Sequence, residues 1–405
     1  MTDTIDATVI IVGAGPAGST AAYFLANAGV DVLMVDQATF PRDKSCGDSI
    51  CPGAVEILDK MGLSDWAKLK GYATNIGYRL SSPNGSLADI PFPSHFSPFP
   101  NYLIPRREFD HALVQHAVSA GARLREGVRL TDFARISPEV VQVMGKQDET
   151  PVSLTAKLVI AADGSISAFT SRLGMVPGPA DALALRQYYS NVAGTPGQFE
   201  LHWEKSVLPA YGFIFHLNDG IAVFGTGMFR KDQQRLKANI QERLKTFITQ
   251  NPYAREALKN AQPLGPVAGH PYRDDAEMVK PYADNIMLVG DAAGTGHPMT
   301  GEGIGPAMIS AEIAAHHAIQ ALEKGDVSEP GLAAYGLAFH KQFDSLHKIS
   351  QLARTALALP WMVDRTVRRC AKDPVFGAAM AGILAGVVSP GEMLKPGMAL
   401  RLLAG

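Results

Sequence analysis

The apolar residues of the chain fall into two kinds of pattern. From Ala7 to Asp36, a short apolar run, a segment of small residues and a second apolar run follow one another. Two later apolar runs, which end near residues 161 and 289, each lead through a turn into a segment that is predicted to be helical. Strands that alternate with helices in this way predict an α/β unit with a parallel sheet.

Between about residues 176 and 265 the pattern changes. Short runs of β-branched and aromatic residues are broken by proline, by glycine and by the turn Asn218-Asp219-Gly220, which is a good hairpin signal. This pattern predicts a meandering antiparallel sheet. After Leu322 the pattern is helical again, and Pro360 and Pro374 are expected to interrupt the helices.

The first glycine-rich turn has the spacing of a dinucleotide-binding fingerprint. Gly13 permits the tight turn, Gly15 lets the backbone approach a pyrophosphate, and Gly18 allows the helix to pack on the strand. Asp36, at the end of the second strand, is placed to accept hydrogen bonds from an adenosine ribose. The residues predicted to contact the dinucleotide are therefore Gly13, Gly15, Pro16, Ala17, Gly18 and Asp36.

Two distant turns favour FAD over NAD. Asp163-Gly164 and Gly290-Asp291 each follow an apolar strand and precede a predicted helix. The second helix has apolar residues at helical spacing, namely Ile304, Met308, Ala311 and Ala315. Its glycine-rich start offers unpaired N–H groups and partial positive charge, which would suit the carbonyl edge of a flavin. The alternative is that Asp163 and Asp291 only cap helices.

Taken together, these motifs resemble the FAD-dependent class that contains aromatic hydroxylases, flavin halogenases and geranylgeranyl reductases. Within this class, "DKSCGDSICPGAVEIL" and "YGFIFHLNDG" are similar to the geranylgeranyl reductase family, over about Thr8 to Leu322. "RREFDHAL" matches the R-x-x-F-D-x-x-L pattern of that family, which implies that Arg106 lies near FAD. The resemblance also implies cofactor contacts by the backbone of Cys46, Gly47, Val128, Gly303 and Ile304.

The same family carries a Y-x-[FW]-x-F-P element on a sheet that faces the flavin. Here the element reads Tyr211-x-Phe213-x-Phe215-His216. Period-two spacing places the three aromatic residues on one face of a strand. The alternative is ordinary core packing of the sheet. His216 stands where the family has proline, so this sequence departs from the pattern at that end of the cavity.

The resulting fold class is α/β: a FAD-binding Rossmann-like domain with an inserted antiparallel β-sheet substrate domain and a C-terminal helical region. The FAD-binding domain is predicted to comprise residues 1–75, 101–175 and 266–325. The substrate domain is predicted to comprise strands in residues 76–100 and the sheet of residues 176–265, and the helical region residues 326–405. With 405 residues, 46% of them hydrophobic, the chain can bury more than one core.

The charge and the cysteine content argue against a nucleic-acid-binding protein and against a secreted protein with a disulfide framework. A net charge of −2 without a basic block gives no footprint for nucleic acid. Three cysteines and no charged-then-apolar leader favour a reducing cytoplasm. The apolar stretch from Gly377 to Val388 is too short to span a bilayer, although it permits peripheral membrane contact. The sequence favours no particular oligomeric state.

Cys46 and Cys51 lie close together in "PRDKSCGDSIC". They have no second Cys/His pair nearby, which argues against zinc, and their spacing is not that of a redox CxxC pair. One interpretation of Cys46 is a small buried residue in a turn. The family resemblance implies instead that Cys46 faces the substrate cavity along the flavin, and we interpret Cys51 as structural.

The leading functional hypothesis is a reductase that saturates carbon–carbon double bonds of an isoprenoid or similar polyene by hydride transfer from reduced flavin. The candidate catalytic residues are Cys46, Tyr211, Phe213 and Phe215. The aromatic faces would stabilise positive charge on the substrate, and Cys46 or Tyr211 would be the nearest proton donor. The rivals are a monooxygenase that uses a flavin hydroperoxide and a non-catalytic flavoprotein that binds lipid. Because no second nucleotide fingerprint occurs, NAD(P)H or another electron donor should bind only transiently.

Overall fold

The computed structural model describes residues 5–176, 178–180 and 182–403. Residues 1–4 and 404–405, at the two ends of the predicted domains, lie outside the described residues, as do residues 177 and 181. The strands are β1 (Ala7–Val12), β2 (Val32–Val35), β3 (Ser49–Ile50), β4 (Gly77–Ser81), β5 (Leu87–Pro91), β6 (Tyr102–Leu103), β7 (Arg123–Arg125), β8 (Val128–Ser137), β9 (Val140–Gln147), β10 (Thr150–Ala161), β11 (Ala182–Ser190), β12 (Gln198–His202), β13 (Gly212–His216), β14 (Ala222–Phe229), β15 (Gln262–Tyr272), β16 (Tyr282–Ala283) and β17 (Ile286–Leu288). The helices are α1 (Pro16–Asn27), α2 (Pro52–Lys60), α3 (Ser64–Leu69), α4 (Arg106–Ser119), α5 (Ala168–Leu173), α6 (Arg230–Leu236), α7 (Ile240–Gln250), α8 (Pro252–Ala257), α9 (Ile304–Lys324), α10 (Glu329–Leu357), α11 (Pro360–Lys372), α12 (Pro374–Leu384) and α13 (Pro396–Leu403).

The larger sheet confirms the predicted α/β unit. Its order is β16-β17-β10-β1-β2-β7, and β8 and β9 extend it beside β10. The pairs that β1 makes with β10 and β2, together with β2–β7 and β10–β17, are parallel. Val9, Ile10 and Ile11 of β1 are fully buried, since the interior strand of a parallel sheet is covered on both faces. The sheet's carboxyl ends therefore present their turns at one edge, where a cofactor is expected.

The second sheet has the order β15-β11-β14-β13-β12-β4-β5. Its strand pairs are antiparallel, except that β12 and β4 are parallel. The prediction of an antiparallel sheet is therefore correct for all pairs but this one. The predicted hairpin turn joins β13 to β14, with Asp219 and Gly220 at φ of 58° and 66°. β15 runs from Gln262 to Tyr272 and so crosses the predicted boundary at residue 265.

Of the C-terminal helices, α11 and α12 pack against this second sheet, whereas α10 packs against α9 and β16 of the FAD-binding domain. Pro360 and Pro374 are the first residues of α11 and α12, where a missing backbone N–H is tolerated. Val363 and Phe376 belong to the same apolar core as Phe199 of β12. No helix among the described residues is both long and apolar enough to cross a membrane.

Candidate active site

A large cavity lies between the two sheets and the C-terminal helices. It contains about 2060 Å³ of space free of protein atoms, counted with its opening to solvent. Most of the residues predicted from the sequence line it, namely Gly15, Pro16, Ala17, Cys46, Gly47, Arg106, Gly164, Tyr211, Phe213, Phe215, Asp291, Gly303 and Ile304. The other predicted residues, Gly13, Gly18, Asp36, Val128 and Asp163, support the turns beside the cavity or lie deeper in the fold.

The glycines of the first turn have different physical roles. A Cβ on Gly13, which has φ of 98°, would lie 2.4 Å from the carbonyl oxygen of Ala162. A Cβ on Gly18 would lie 1.8 Å from the carbonyl oxygen of Gly13. Gly15 instead faces the cavity, where its nearest neighbour would be an Arg42 guanidinium nitrogen at 3.5 Å. The turn therefore presents open backbone and the start of α1 to the cavity, as an anion site requires.

Asp36 is buried and fixes the glycine turn at Gly13 to Gly18 by hydrogen bonding. Its carboxylate accepts the N–H groups of Ala14 at 2.7 Å and of Ala38 at 2.8 Å. Its backbone oxygen accepts the N–H of Val128 at 3.0 Å. Asp36 and Val128, for which the sequence predicts separate contacts with the cofactor, are therefore neighbours.

Asp163 has one carboxylate oxygen that is available to a ligand. Oδ2 accepts the N–H of Ala168 at 2.9 Å, so the residue does cap α5, as the alternative interpretation requires. Oδ1 is buried and has no hydrogen-bond partner among the described residues. Burial raises the pKa of this carboxyl group. An unpaired buried acceptor is costly, and a hydroxyl group of a bound dinucleotide would satisfy it.

The start of α9 also lines the cavity, beside α1. Gly290, at φ of 61°, lies between α1 and α9, and a Cβ there would come within 3.1 Å of the Ala17 Cβ. Gly303, the residue before α9, provides no side-chain cap, while Glu302 accepts the N–H of Gly305 at 2.7 Å. The first turn of α9 therefore keeps amide groups for a ligand, with Asp291 beside them.

A group of cations gives this end of the cavity a positive potential. Arg106 donates two hydrogen bonds of 2.7 Å to Asp110, and Arg42 forms an ion pair with the same carboxylate at 2.7 Å. The ammonium group of Lys44 lies beside them, and burial together with Arg106 lowers its pKa. Three cations thus face Asp110 and the nearby Asp291, which suits a pyrophosphate or the anionic edge of a reduced flavin. The sequence interpretation found Arg106 but missed Arg42 and Lys44.

The segment of residues 41–51, which contains Cys46 and Cys51 and is called the cysteine turn below, forms part of the cavity wall. Burial raises the pKa of the Cys46 thiol, and the Arg106 guanidinium opposes this effect. Cys51 also lines the cavity, and its S–H group donates to Glu302 at 3.1 Å. Its interpretation as purely structural is therefore incomplete, because it orients a buried carboxylate at the start of α9. All three cysteines are free, and the described residues contain no cluster of three potential metal ligands.

The predicted aromatic residues form a continuous wall. The rings of Phe213 and Phe215 stack at 4.9 Å, and Phe215 stacks in turn on Phe199 at 4.2 Å. The Phe213 ring lies so close to Gly225 that a Cβ there would be 2.2 Å from it. Tyr211 also lines the cavity, but its hydroxyl donates to the carbonyl oxygen of Thr300, and burial raises its pKa. Its proton is therefore directed to the backbone.

His216, the departure from the family pattern, points to the other face of β13. It is buried, and its Nε2 lies 2.8 Å from Glu200. It packs over Gly194, where a Cβ would be 2.2 Å from the imidazole ring. His216 is thus separated from the aromatic wall by the period-two alternation of the strand.

The comparisons with known proteins agree with this geometry. A sequence model of the family described as FAD binding domain matches residues 6–341. A digeranylgeranylglycerophospholipid reductase of Methanopyrus kandleri is 30% identical over 344 residues, which cover 83% of this chain and 86% of that protein. The chain belongs to the geranylgeranyl reductase family of FAD-dependent oxidoreductases.

Other members of the geranylgeranyl reductase family and its wider class are also similar. A menaquinone reductase of Mycolicibacterium smegmatis is 32% identical over 320 residues, which cover 76% of this chain and 75% of that protein. The crystal structure of a geranylgeranyl bacteriochlorophyll reductase-like protein from Thermoplasma acidophilum has a TM-score of 0.80 at 24% identity, covering 96% of this chain and 98% of that chain. A flavin-dependent halogenase has a TM-score of 0.74 at 20% identity, covering 98% of this chain and 77% of that one. The last two likenesses concern the fold.

The residues present fit FAD, the cofactor of the family. The open backbone at Gly15, the unpaired oxygen of Asp163 and the amides at the start of α9 would hold its phosphate, hydroxyl and carbonyl groups. Arg42, Lys44 and Arg106 supply the compensating positive charge. The aromatic wall forms one side of what remains of the cavity, and Leu357 and Leu384 of the C-terminal helices also line it, together with Arg354.

Proposed function

We propose that this protein reduces carbon–carbon double bonds of an isoprenoid chain. The observation that carries the proposal is the contact between the cysteine turn and the aromatic wall inside one cavity that also contains the cofactor groups. Bound FAD, once reduced, supplies the hydride. The relatives named for menaquinone and for digeranylgeranylglycerophospholipid both imply a substrate with a prenyl chain.

The lining of the cavity is suited to such a substrate. Leu201 and Trp203 extend the aromatic wall, and Leu357 and Leu384 close it from the C-terminal helices. A prenyl chain would bury its surface here at about 25 cal/mol per Å². The hydroxyl group of Tyr211 is engaged by the backbone, and polar side chains such as Arg354 and Tyr272 line other parts of the same cavity.

The protein side chains would stabilise charge and supply a proton. An isolated alkene is a poor electrophile, so a proton should add to its less substituted carbon ahead of the hydride. Positive charge then develops on the more substituted carbon, and this carbon accepts the hydride. Phe213, at the end of the stack of Phe199, Phe215 and Phe213, would stabilise that charge with its outer face, and Phe215 would support the ring from behind. We propose Cys46 as the proton donor, because it lines the same cavity as the wall and burial raises the pKa of its thiol.

We also propose peripheral contact of the cavity mouth with a lipid surface. Next to the lining residue Leu357, the side chains of Leu359 and Trp361 are 44% and 59% exposed. Arg368 and Lys372 are exposed on the same helix, which favours anionic lipid. Sedimentation with vesicles containing anionic lipid should retain the protein, and Trp361→Ala should reduce that fraction. Equal binding by both proteins, or none by either, would contradict this contact.

Anaerobic product analysis tests the proposed reaction. Protein reduced with dithionite should convert geranylgeranyl lipid or a menaquinone to products heavier by two hydrogen atoms for each bond reduced. Phe213→Ala should retain FAD but lose about tenfold in turnover efficiency, equivalent to about 1.4 kcal/mol at the transition state. Cys46→Ala should retain FAD and change the rate or the number of bonds reduced.

The matched control is Phe224→Leu, on the same sheet. Phe224 is fully buried on the face away from the cavity, so this variant should lose stability without a comparable change in products. If every prenyl substrate is recovered unchanged, while oxygen and a nicotinamide together yield a hydroxylated product, the protein is a monooxygenase. Binding of FAD and lipid without turnover under any reductant would support the non-catalytic alternative.

A further inference from the structure

Arg354 and Tyr272 are polar residues of the cavity lining to which neither the cofactor nor the proposed reaction assigns a role. Arg354 lies near the end of α10, one turn before Leu357, and Tyr272 is the last residue of β15. The ring of Phe229 joins them. The guanidinium carbon of Arg354 lies 3.9 Å from the centre of that ring, and the Tyr272 ring packs edge-on against it at 6.0 Å between centres. Two separate elements therefore bring a cation and a phenol to one place in the cavity.

Both side chains keep hydrogen-bond donors that are open to the cavity. The hydrogen bonds of Arg354 use only Nη1, which donates to Asp274 at 2.6 Å and to the carbonyl oxygen of Pro298 at 3.3 Å. Nε and Nη2 of Arg354 and the hydroxyl of Tyr272 have no partner among the described residues, and none of these atoms is sealed from solvent. Gly301 leaves room beside the hydroxyl, since even a Cβ there would stand 3.7 Å from its oxygen. Arg354 and Tyr272 therefore offer three donor groups to a bound acceptor.

The charges around these donors favour an uncharged acceptor over a phosphate. The guanidinium of Arg354 is already balanced by Asp274, whose side chain is 5% exposed. The other cations that line the cavity lie on the cysteine turn, at the start of α4 or against Asp43 of that turn, namely Lys44, Arg106 and Arg186. A phosphate beside Arg354 would add a charge that these cations do not meet, and burial of an unpaired charge is costly. A carbonyl oxygen needs only the donors.

Strand β14 fixes the spacing between these donors and the aromatic wall. The Phe213 ring packs over Gly225 of β14, and Gly227 and Phe229 follow on the same face of the strand. Phe229 stands four residues beyond Gly225, which corresponds to roughly 13 Å along a strand. An acceptor held beside Phe229 would therefore leave a fixed length of attached chain between itself and Phe213, the ring that is proposed to stabilise the reacting carbon.

We propose that Arg354 and Tyr272 form a head-group subsite, which binds an uncharged carbonyl of the substrate and thereby selects the double bond that is reduced. Leu357, one turn along α10 from Arg354, would contact the chain next to the head group. The inference deepens the proposed reduction and rests on it for the choice of bond. Binding of the head group itself requires no turnover.

Titration of the oxidised, FAD-bound protein tests the binding. Flavin absorbance follows two probes that carry the same geranylgeranyl chain, a menaquinone and geranylgeranyl phosphate. Tyr272→Phe should weaken binding of the menaquinone about fivefold, and Arg354→Gln about twentyfold, as expected for hydrogen bonds from a neutral and a charged donor. The wild type should bind the menaquinone more tightly than the phosphate, and the affinity for the phosphate should be similar in all three proteins.

Tyr189→Phe is the matched control for the loss of a phenol. Tyr189 lies on β11, which pairs with β15, and its hydroxyl donates to Gln187 at 2.8 Å outside the cavity lining. This variant should bind both probes as the wild type does. Tyr272→Phe changes no ion pair, so it should fold even if Arg354→Gln does not.

The position of the reduced bond is the second readout. Tandem mass spectrometry of the anaerobic product should find one reduced position, counted from the head group, for the wild type and a mixture of positions for Tyr272→Phe. Unchanged affinity of both variants for the menaquinone would overturn the proposal. It would also be overturned by tighter binding of the phosphate that Arg354→Gln abolishes, or by loss of FAD from Tyr272→Phe. The expected losses of affinity without reduction of any substrate would support the head-group subsite and contradict only the proposed reaction.

Discussion

Gly47 packs directly against the ring of Phe215. A Cβ added at position 47 would lie 3.0 Å from Cε2 of that ring and 3.5 Å from Cε2 of Phe213. The turn that contains Cys46 and Gly47 therefore packs directly against the aromatic residues of β13, and the two segments together form one wall of the cavity. Substrate selection at this wall should depend on the small size of residue 47.

We predict that Gly47→Ala narrows the cavity without removing FAD. Gly47 does not have a positive φ, so the cost comes from displaced rings, and overpacking of this kind typically costs about 1–3 kcal/mol. Turnover of long prenyl chains should fall more than turnover of short ones. Product analysis across a series of chain lengths, with flavin absorbance as a check, measures the effect.

Gly53→Ala is the control for this substitution. A Cβ at Gly53 meets only ordinary contacts, the nearest being Ile309 Cδ1 at 3.7 Å. It should therefore leave the chain-length preference unchanged. If Gly47→Ala showed the wild-type preference, the wall would not define the substrate site.

Asp36→Ala should weaken FAD binding by about 1.5–3 kcal/mol, the range for a hydrogen bond to a charged group. The structure adds a second cause to the predicted ribose contact, because the carboxylate also holds the N–H of Ala14 in the glycine turn. Fluorescence titration of the apoprotein with FAD measures the loss. Asp31→Ala removes an exposed carboxylate from the same unit and should bind FAD normally. Equal affinity of the Asp36 variant and the wild type would contradict the placement of the adenosine group.

Reduction by NADH or NADPH should be slow, or should saturate poorly, relative to dithionite. Among the described residues, the parallel sheet carries a single glycine fingerprint, at Gly13 to Gly18, and FAD is expected to use it. Anaerobic stopped-flow absorbance of the oxidised flavin gives the rates. Fast, saturable reduction by one nicotinamide would instead reveal a docking site that the fingerprint does not provide.

The sequence was most informative where geometry demands one residue type. Gly13 and Gly18 could be identified because any Cβ would collide with backbone at those positions. The apolar face of α9 and the alternation of Tyr211, Phe213 and Phe215 also follow from simple periods. These local rules predict the two sheets, whereas cavity residues such as Cys46 and Arg106 were expected only from the family resemblance.

Long-range pairing of charges could not be predicted in the same way. Arg42 and Lys44 lie in the same short segment as Cys46 and Cys51. Their interaction with Asp110, however, depends on how α4 packs beside this segment. Asp48 lies in the same stretch, and only the position of Tyr188 on β11 reveals its buried hydrogen bond. The parallel pairing of β12 with β4 likewise depends on a distant segment that no local pattern specifies.

Glu200 forms a buried cluster with His202 and His216 on the far side of the aromatic wall. Its Oε1 lies 2.8 Å from His216 Nε2, and its Oε2 lies 3.3 Å from His202 Nε2. Burial alone would raise the pKa of Glu200, but the two histidines outweigh it and lower the pKa from 4.5 to about 2. A carboxyl group whose pKa is lowered by folding stabilises the native state at pH values above the pKa that it has in the unfolded chain. This stabilisation is lost as the pH falls from about 4.5 to about 2.

We therefore predict that Glu200→Gln destabilises the protein most at neutral pH, by up to about 3 kcal/mol, since each pKa unit corresponds to about 1.4 kcal/mol. The difference from wild type should shrink between pH 4.5 and pH 3, because the carboxyl group of the unfolded chain then takes up a proton while the native carboxylate, with a pKa of about 2, stays charged. Urea unfolding at pH 7, 4 and 3 measures it, and Glu149→Gln, at a residue with a 94% exposed side chain, serves as the control. A destabilisation that is the same at pH 7 and pH 3 would show that the cluster acts through packing and not through the charge of Glu200.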